Sequence, residues 1–214
     1  MSVLNRIASF QGRRDEVPNQ ELARDLAQSR NEQGIQEIAK NLWNENRDIQ
    51  SDCLKVLYEI GYLAPELIAD HVNEFLKLLI NNKNRSIVWG TMAALSSIAA
   101  IKADEIFPHV EQIKHALKGG SVITRNNGVK ILADVAAARD DYREAIFPYL
   151  LEHLKTCRPK EVTQHAERII IAVNASTSRR FIQVLEKRMR EMRSEWTFRL
   201  KKVIKEAESR AATM

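Results

Sequence analysis

The stretch Thr91-Met92-Ala93-Ala94-Leu95, with Ile98 one turn further on, decides the fold. Met92, Leu95 and Ile98 keep the i, i+3, i+6 spacing that lines up on one face of a helix. The same face recurs 38 residues earlier as Leu54, Leu57 and Ile60, and 37 residues later as Val129, Leu132 and Val135, within Val129-Lys130-Ile131-Leu132-Ala133. The helical pattern restarts near Asn46, Asn84, Ser121 and Arg158, at intervals of 38, 37 and 37 residues. A fixed period of this size is the signature of stacked supersecondary units, each too small to bury its own apolar face.

Each unit reads as two antiparallel helices, A then B. The second unit has helix A over Arg47–Leu63 and helix B over Pro65–Ile80, with Pro65 at a first helical position. The third has Arg85–Ile101 and Asp104–Leu117, closed by Gly119-Gly120. The fourth has Val122–Arg139 and Tyr142–Thr156. The fifth runs from Arg158 to Met192, with Ser176-Thr177-Ser178 as turn and cap. In helix B, Ile68, Val72 and Phe75 become Ile106, Val110 and Ile113, then Ile146, Leu150 and His153. The last step is longer, and the additional residues are expected in the turn from Arg139 to Glu144.

The two-helix unit, the A-helix stretches quoted above and the recurrence of Ile106-Phe107-Pro108 as Ile146-Phe147-Pro148 resemble HEAT and armadillo-like repeats over residues 46–192. The period is slightly shorter than the ~40–47 of that class and longer than the 34 of tetratricopeptide repeats. The resemblance implies an all-α fold, an α-solenoid of antiparallel helix pairs with a C-terminal capping helix. A single solenoid domain over 1–214 is expected: a segment 1–19, an atypical first unit 20–45, repeats 46–83, 84–120, 121–157 and 158–193, and a cap 194–208. Terminal units must cover an otherwise exposed apolar face. Leu22, Leu26, Ile35, Ile38 and Leu42 are placed to do so at one end, and Trp196, Phe198, Leu200, Val203 and Ile204 at the other, with Ser209–Met214 frayed.

The chain has 214 residues, 44% of them hydrophobic, enough for a sizeable core, and its seven Gly and five Pro are few for an all-β protein. No apolar run reaches the roughly 18–20 residues of a membrane span, and Val3, Leu4, Ile7 and Phe10 lack the form of a signal peptide, so no membrane association and a cytoplasmic location are expected. Cys53 and Cys157, far apart and without CxxC partners, read as free thiols in a reducing compartment.

Catalytic chemistry finds little purchase. Neither cysteine has a histidine placed by a recognisable motif, and Gly119-Gly120 is no phosphate loop. His71 and His109 stand one repeat apart, with Tyr149 on the third rung, a weak candidate for a ligand row. Iron-binding HEAT-repeat hydroxylases carry recurring His-Glu dipeptides, which are absent here. HEAT-like alkylpurine DNA glycosylases use aromatic residues with an acid, and Trp43, Trp89 and Trp196 do not assemble such a set in sequence. No catalytic residue, cofactor or metal is therefore assigned.

Charge supplies the one functional hint. Residues 1–45 carry a net −1, residues 46–175 balance, and residues 176–214 carry +6. Arg179, Arg180, Lys187, Arg188, Arg190 and Arg193 on the last helix B, with Arg199, Lys201, Lys202 and Lys205 on the cap, form the candidate binding surface. Such a patch attracts acidic protein surfaces or phosphate backbones, or simply solvates the end of the stack. The sequence thus points to a non-enzymatic repeat scaffold for a protein partner, and the basic segment suits an acidic one. A nucleic-acid-binding protein is the alternative, and a subunit or regulator of an enzyme a third.

Overall fold

The computed structural model describes residues 2–212, apart from the side chains of 194–196 and 212. It is all-α. Its backbone divides into two compact units, residues 1–127 and 128–214.

In the first unit, α1 (Val17–Ser29) and α2 (Glu32–Lys40) precede α3 (Arg47–Leu63), α4 (Val72–Asn81), α5 (Arg85–Ile98), α6 (Ala103–Ile106) and α7 (Val110–Gly119). The chain then enters α8 (Val122–Ala138), along which the second unit begins. That unit continues with α9 (Asp140–Thr156), α10 (Pro159–Ile169), α11 (Ala175–Arg190) and α12 (Ser194–Ala212).

The four residues that mark the period start the four A helices, α3, α5, α8 and α10. The Asn46 side chain accepts from the Asp48 N–H at 2.9 Å, and that of Asn84 from Ser86 at 2.9 Å. Ser121 Oγ accepts from the Thr124 N–H at 3.2 Å. Arg158, with extended backbone, precedes Pro159 at the first position of α10. The Asn46, Asn84 and Ser121 side chains satisfy amide groups that the helix itself leaves without partners, whereas Arg158 makes no such bond. The period of the sequence is therefore a period of helix starts.

The apolar ladder is the core. Leu57, Ile60, Met92, Leu95 and Ile98 in the first unit are fully buried, as are Val129, Leu132 and Val135 in the second. Leu22, Leu26, Ile35, Ile38 and Leu42 close the N-terminal end as expected. Gly90 lets α5 approach α3 closely, because a Cβ there would meet Leu54 Cδ2 at 2.8 Å. In the second unit Phe147 and Phe181 pack at 6.4 Å between ring centroids.

The structure corrects several boundaries. Helix B of the second unit is two tight 3-10 turns, Pro65–Leu67 and Ala69–His71, followed by α4. Helix B of the third is α6, a 3-10 turn Phe107–His109, then α7. Pro108 has no N–H to give to a preceding carbonyl, so the chain tightens there. In α9, Pro148 sits within one continuous helix. The additional residues near Arg139 do not lengthen a turn: only extended Arg139 separates α8 from α9, and the inserted length becomes the first turn of α9. Tyr142 in that turn is buried beneath the Arg139 guanidinium, 4.4 Å from its ring.

The start of α11 is set by Asn174 rather than by Ser176-Thr177-Ser178. Asn174 Oδ1 accepts from the Thr177 N–H while Thr177 Oγ1 accepts from the Asn174 N–H, a reciprocal capping box. At the C-terminal end Leu200, Val203 and Ala207 are buried, but Phe198 is 65% exposed and seals nothing. It lies on the outer side of α12 with Lys202 Nζ 4.8 Å from its ring. The sealing role expected of Trp196 lies outside the described residues, and α12 remains helical to Ala212. Among the described residues, no helix is long and apolar enough to cross a membrane.

Candidate functional site

Of the ten basic residues singled out in the sequence, nine are exposed and one is buried. Arg188 points inward. It is 8% exposed, and its guanidinium donates to the Cys157 carbonyl at 2.8 Å and to the Lys155 carbonyl. These are carbonyls at the end of α9 that no intrahelical amide reaches, so Arg188 caps that helix from across the α9–α11 packing. Arg199 is exposed but forms a two-pronged ion pair with Glu167, which raises the guanidinium pKa further above its ordinary value.

Arg179, Arg180, Lys187, Arg190, Arg193, Lys201, Lys202 and Lys205 are exposed. Two hollows divide some of them. One, about 610 Å³, runs between α9 and α11 and carries Arg180, Lys187 and Lys155 around Pro148, Leu151 and Val184. The other, about 620 Å³, lies between α11 and α12 and sets Arg190 and Lys201 beside Met189, Met192 and Ile204. Both combine apolar residues with cations, and each also holds one acid, Glu191 in the first and Glu186 in the second. α11 produces this pattern because Phe181, Val184 and Leu185 face inward while Arg180 and Lys187 ride the outer edge.

His71 and His109 share a backbone role. Each closes a 3-10 turn and is the N-cap of the next helix, with φ, ψ of −88°, 11° and −107°, 14°. Tyr149, on the third rung, lies inside the unbroken α9. Burial lowers the His71 pKa, against an opposing pull from Asp70 and Glu74. Among the described residues, none of these three joins a group able to hold a metal ion.

Such a group exists elsewhere. His153, Cys157 and His165 offer three ligand atoms all within 4.8 Å of one another. His153 and Cys157 are a helical turn apart at the end of α9, and α10 folds back after Pro159 to present His165. His153 Nε2 and His165 Nδ1 are 2.9 Å apart. The His165 side chain is fully buried, Cys157 is half-buried, and Arg188 holds the Cys157 carbonyl. Sequence motifs place no histidine beside Cys157; the fold brings two within 4.8 Å of it. The His-x3-Cys spacing was visible, but His165 comes from a different helix and belongs to no known ligand spacing.

Trp89 and Trp43 both have local partners. Trp89 meets Tyr58 edge-on at 5.2 Å, and Trp43, 46% exposed, donates its indole N–H to Glu74 at 2.6 Å. Cys53 is fully buried, and burial, with Asp52 and Glu37 adding to it, pushes its thiol pKa up to about 12.

No protein-family model and no curated protein matches the sequence. Solved structures do resemble the fold. An engineered protein superposes with a TM-score of 0.67 at 20% identity, covering 98% of each chain. A designed armadillo repeat protein in complex with the peptide (KR)4 gives a TM-score of 0.68 at 14% identity over 89% of this chain and 86% of that one. Computationally designed armadillo repeat proteins for modular peptide recognition give 0.62 at 16%, over 98% and 97%. Identities this low speak to architecture alone, and the architecture is that of a HEAT/armadillo-like helical repeat.

Proposed function

We propose that the protein is a non-enzymatic repeat scaffold that binds an acidic segment of a protein partner in the α9–α11 groove. The observation that carries this is the lining of the groove: Arg180, Lys187 and Lys155 stand around Pro148, Leu151 and Val184. An extended chain with alternating carboxylate and apolar side chains matches both features, and cations of one sign steer it in. The Lys155 ammonium pairs with exposed Glu152 at 3.1 Å, a contact that a ligand carboxylate replaces at little cost. Fold analogy supports a peptide-type ligand, since relatives of this architecture are described as recognising peptides. The (KR)4 peptide bound by one of them is basic, whereas in this groove Lys155, Arg180 and Lys187 outnumber the acid Glu191, so the ligand charge is expected to be reversed.

The test uses three fluorescein-labelled ligands: an alternating Glu-Leu peptide, an alternating Lys-Leu peptide and a short DNA duplex. Anisotropy is expected to show saturable binding of the acidic peptide alone. Reversing Arg180 and Lys187 to Glu should weaken it by about tenfold or more. Retention of the duplex with a steep salt dependence would replace this reading with the nucleic-acid one.

A further inference from the structure

From the geometry of His153, Cys157 and His165, we infer a binding site for one Zn²⁺ ion where the end of α9 meets α10. The donor set decides the metal class. A thiolate and two imidazoles suit zinc, while the hard ions Mg²⁺ and Ca²⁺ take oxygen ligands. The spacing suits the ion. Tetrahedral bonds of about 2.3 Å to sulfur and 2.0–2.1 Å to nitrogen place ligand atoms roughly 3.3–3.6 Å apart. The two histidine nitrogens, at 2.9 Å, have to part by a few tenths of an ångström. No ligand atom in the group lies more than 4.8 Å from another, so closing the set needs about 1 Å of side-chain adjustment. The rings are tilted by 41°, with nitrogen atoms rather than ring faces converging.

The surroundings support a built site. His165 is fully buried, where a polar ring has to be satisfied by a partner. The Arg188 hydrogen bond to the Cys157 carbonyl steadies the backbone of the sulfur ligand, the role that outer-sphere groups play around metals. Three protein ligands leave a fourth position for water. Bound zinc would fasten α10 to α9 across the Cys157-Arg158-Pro159 turn. None of the three ligands lines the peptide groove, although Arg188 adjoins both.

The test is cobalt substitution in tag-free protein freed of metal with a chelator. Co²⁺ titration should give intense visible bands of tetrahedral cobalt and a thiolate-to-cobalt charge-transfer band in the near ultraviolet. Both should saturate at one equivalent and be displaced by Zn²⁺. Cys157→Ser should abolish the charge-transfer band, and His153→Gln should weaken binding, each variant first checked for helical content by circular dichroism. Zn²⁺ at a hundredfold excess over its Kd should raise the melting temperature by about 5–10 °C, reversed by chelator. No saturable spectrum at stoichiometric Co²⁺, or an unchanged charge-transfer band in Cys157→Ser, would overturn the assignment and leave the cluster a histidine–histidine hydrogen bond beside a thiol.

Discussion

The guanidinium of Arg188 reaches across from α11 to the backbone carbonyl of Cys157, 2.8 Å away, and so binds the end of one helix to the flank of another. It also takes the Lys155 carbonyl, while Glu191 approaches its Nε at 3.7 Å. Removing the side chain leaves buried acceptors without their donor. Arg188→Ala should cost about 2–4 kcal/mol, whereas Arg190→Ala, exposed on the same helix, should stay within about 0.5 kcal/mol. Urea denaturation of the two variants measures the contrast.

The two thiols should differ sharply. Cys53 is fully buried with its pKa raised to about 12, and Cys157 is half-buried. A chelator-treated native sample should therefore yield one thiol to an aromatic disulfide reagent at mildly alkaline pH. The second should appear only on unfolding in guanidinium, since the thiolate is the reactive form. Two fast thiols in the native protein would contradict the packing around Cys53.

Gly61 marks a close approach of α3 to its neighbours. A Cβ there would lie 2.3 Å from Ser97 Oγ and 2.8 Å from Ile68 Cδ1. Ser97 cannot turn away freely, because its hydroxyl donates to the Ala94 carbonyl at 2.7 Å. Gly61→Ala should destabilise by about 1–3 kcal/mol. Gly119→Ala, with nothing near the added methyl, should be neutral or stabilising by up to about 1 kcal/mol. Thermal melts of the pair separate crowding from the general effect of replacing glycine.

His71 should weaken the protein in acid. Burial lowers its pKa below the ordinary 6.5, so the unfolded chain takes up a proton before the folded one does. Its contribution is neutral above the unfolded pKa, and stability is lost as pH falls through 6.5 toward the folded value. Relative to wild type, His71→Gln should gain melting temperature between about pH 7.5 and pH 5.5. An equal or larger acid loss in the variant would exclude His71 as the source.

What the sequence made legible was what one helix can state by itself. The apolar stripe of Met92, Leu95 and Ile98 and the restarts near Asn46 and Asn84 are local signals, and all sit where they were read. Features that depend on a second helix were not legible. Arg188 resembles its exposed neighbours in sequence, and only the arrival of the α9 terminus turns it inward. Of the residues read as sealing the C-terminal end, Leu200 and Val203 face the core, but the rotation of α12 turns Phe198 outward. His165 joins the group of His153 and Cys157 only because α10 packs back against α9.

The helix caps give the gene natural seams. Asn46 and Asn84 begin α3 and α5 with the same side chain and the same extended backbone, 38 residues apart. Cutting out residues 46–83 would join Glu45 directly to another asparagine already poised to start a helix. The splice would preserve the local instruction for beginning the next helix, so a lineage can shorten or extend such a chain by whole repeats without inventing a new junction.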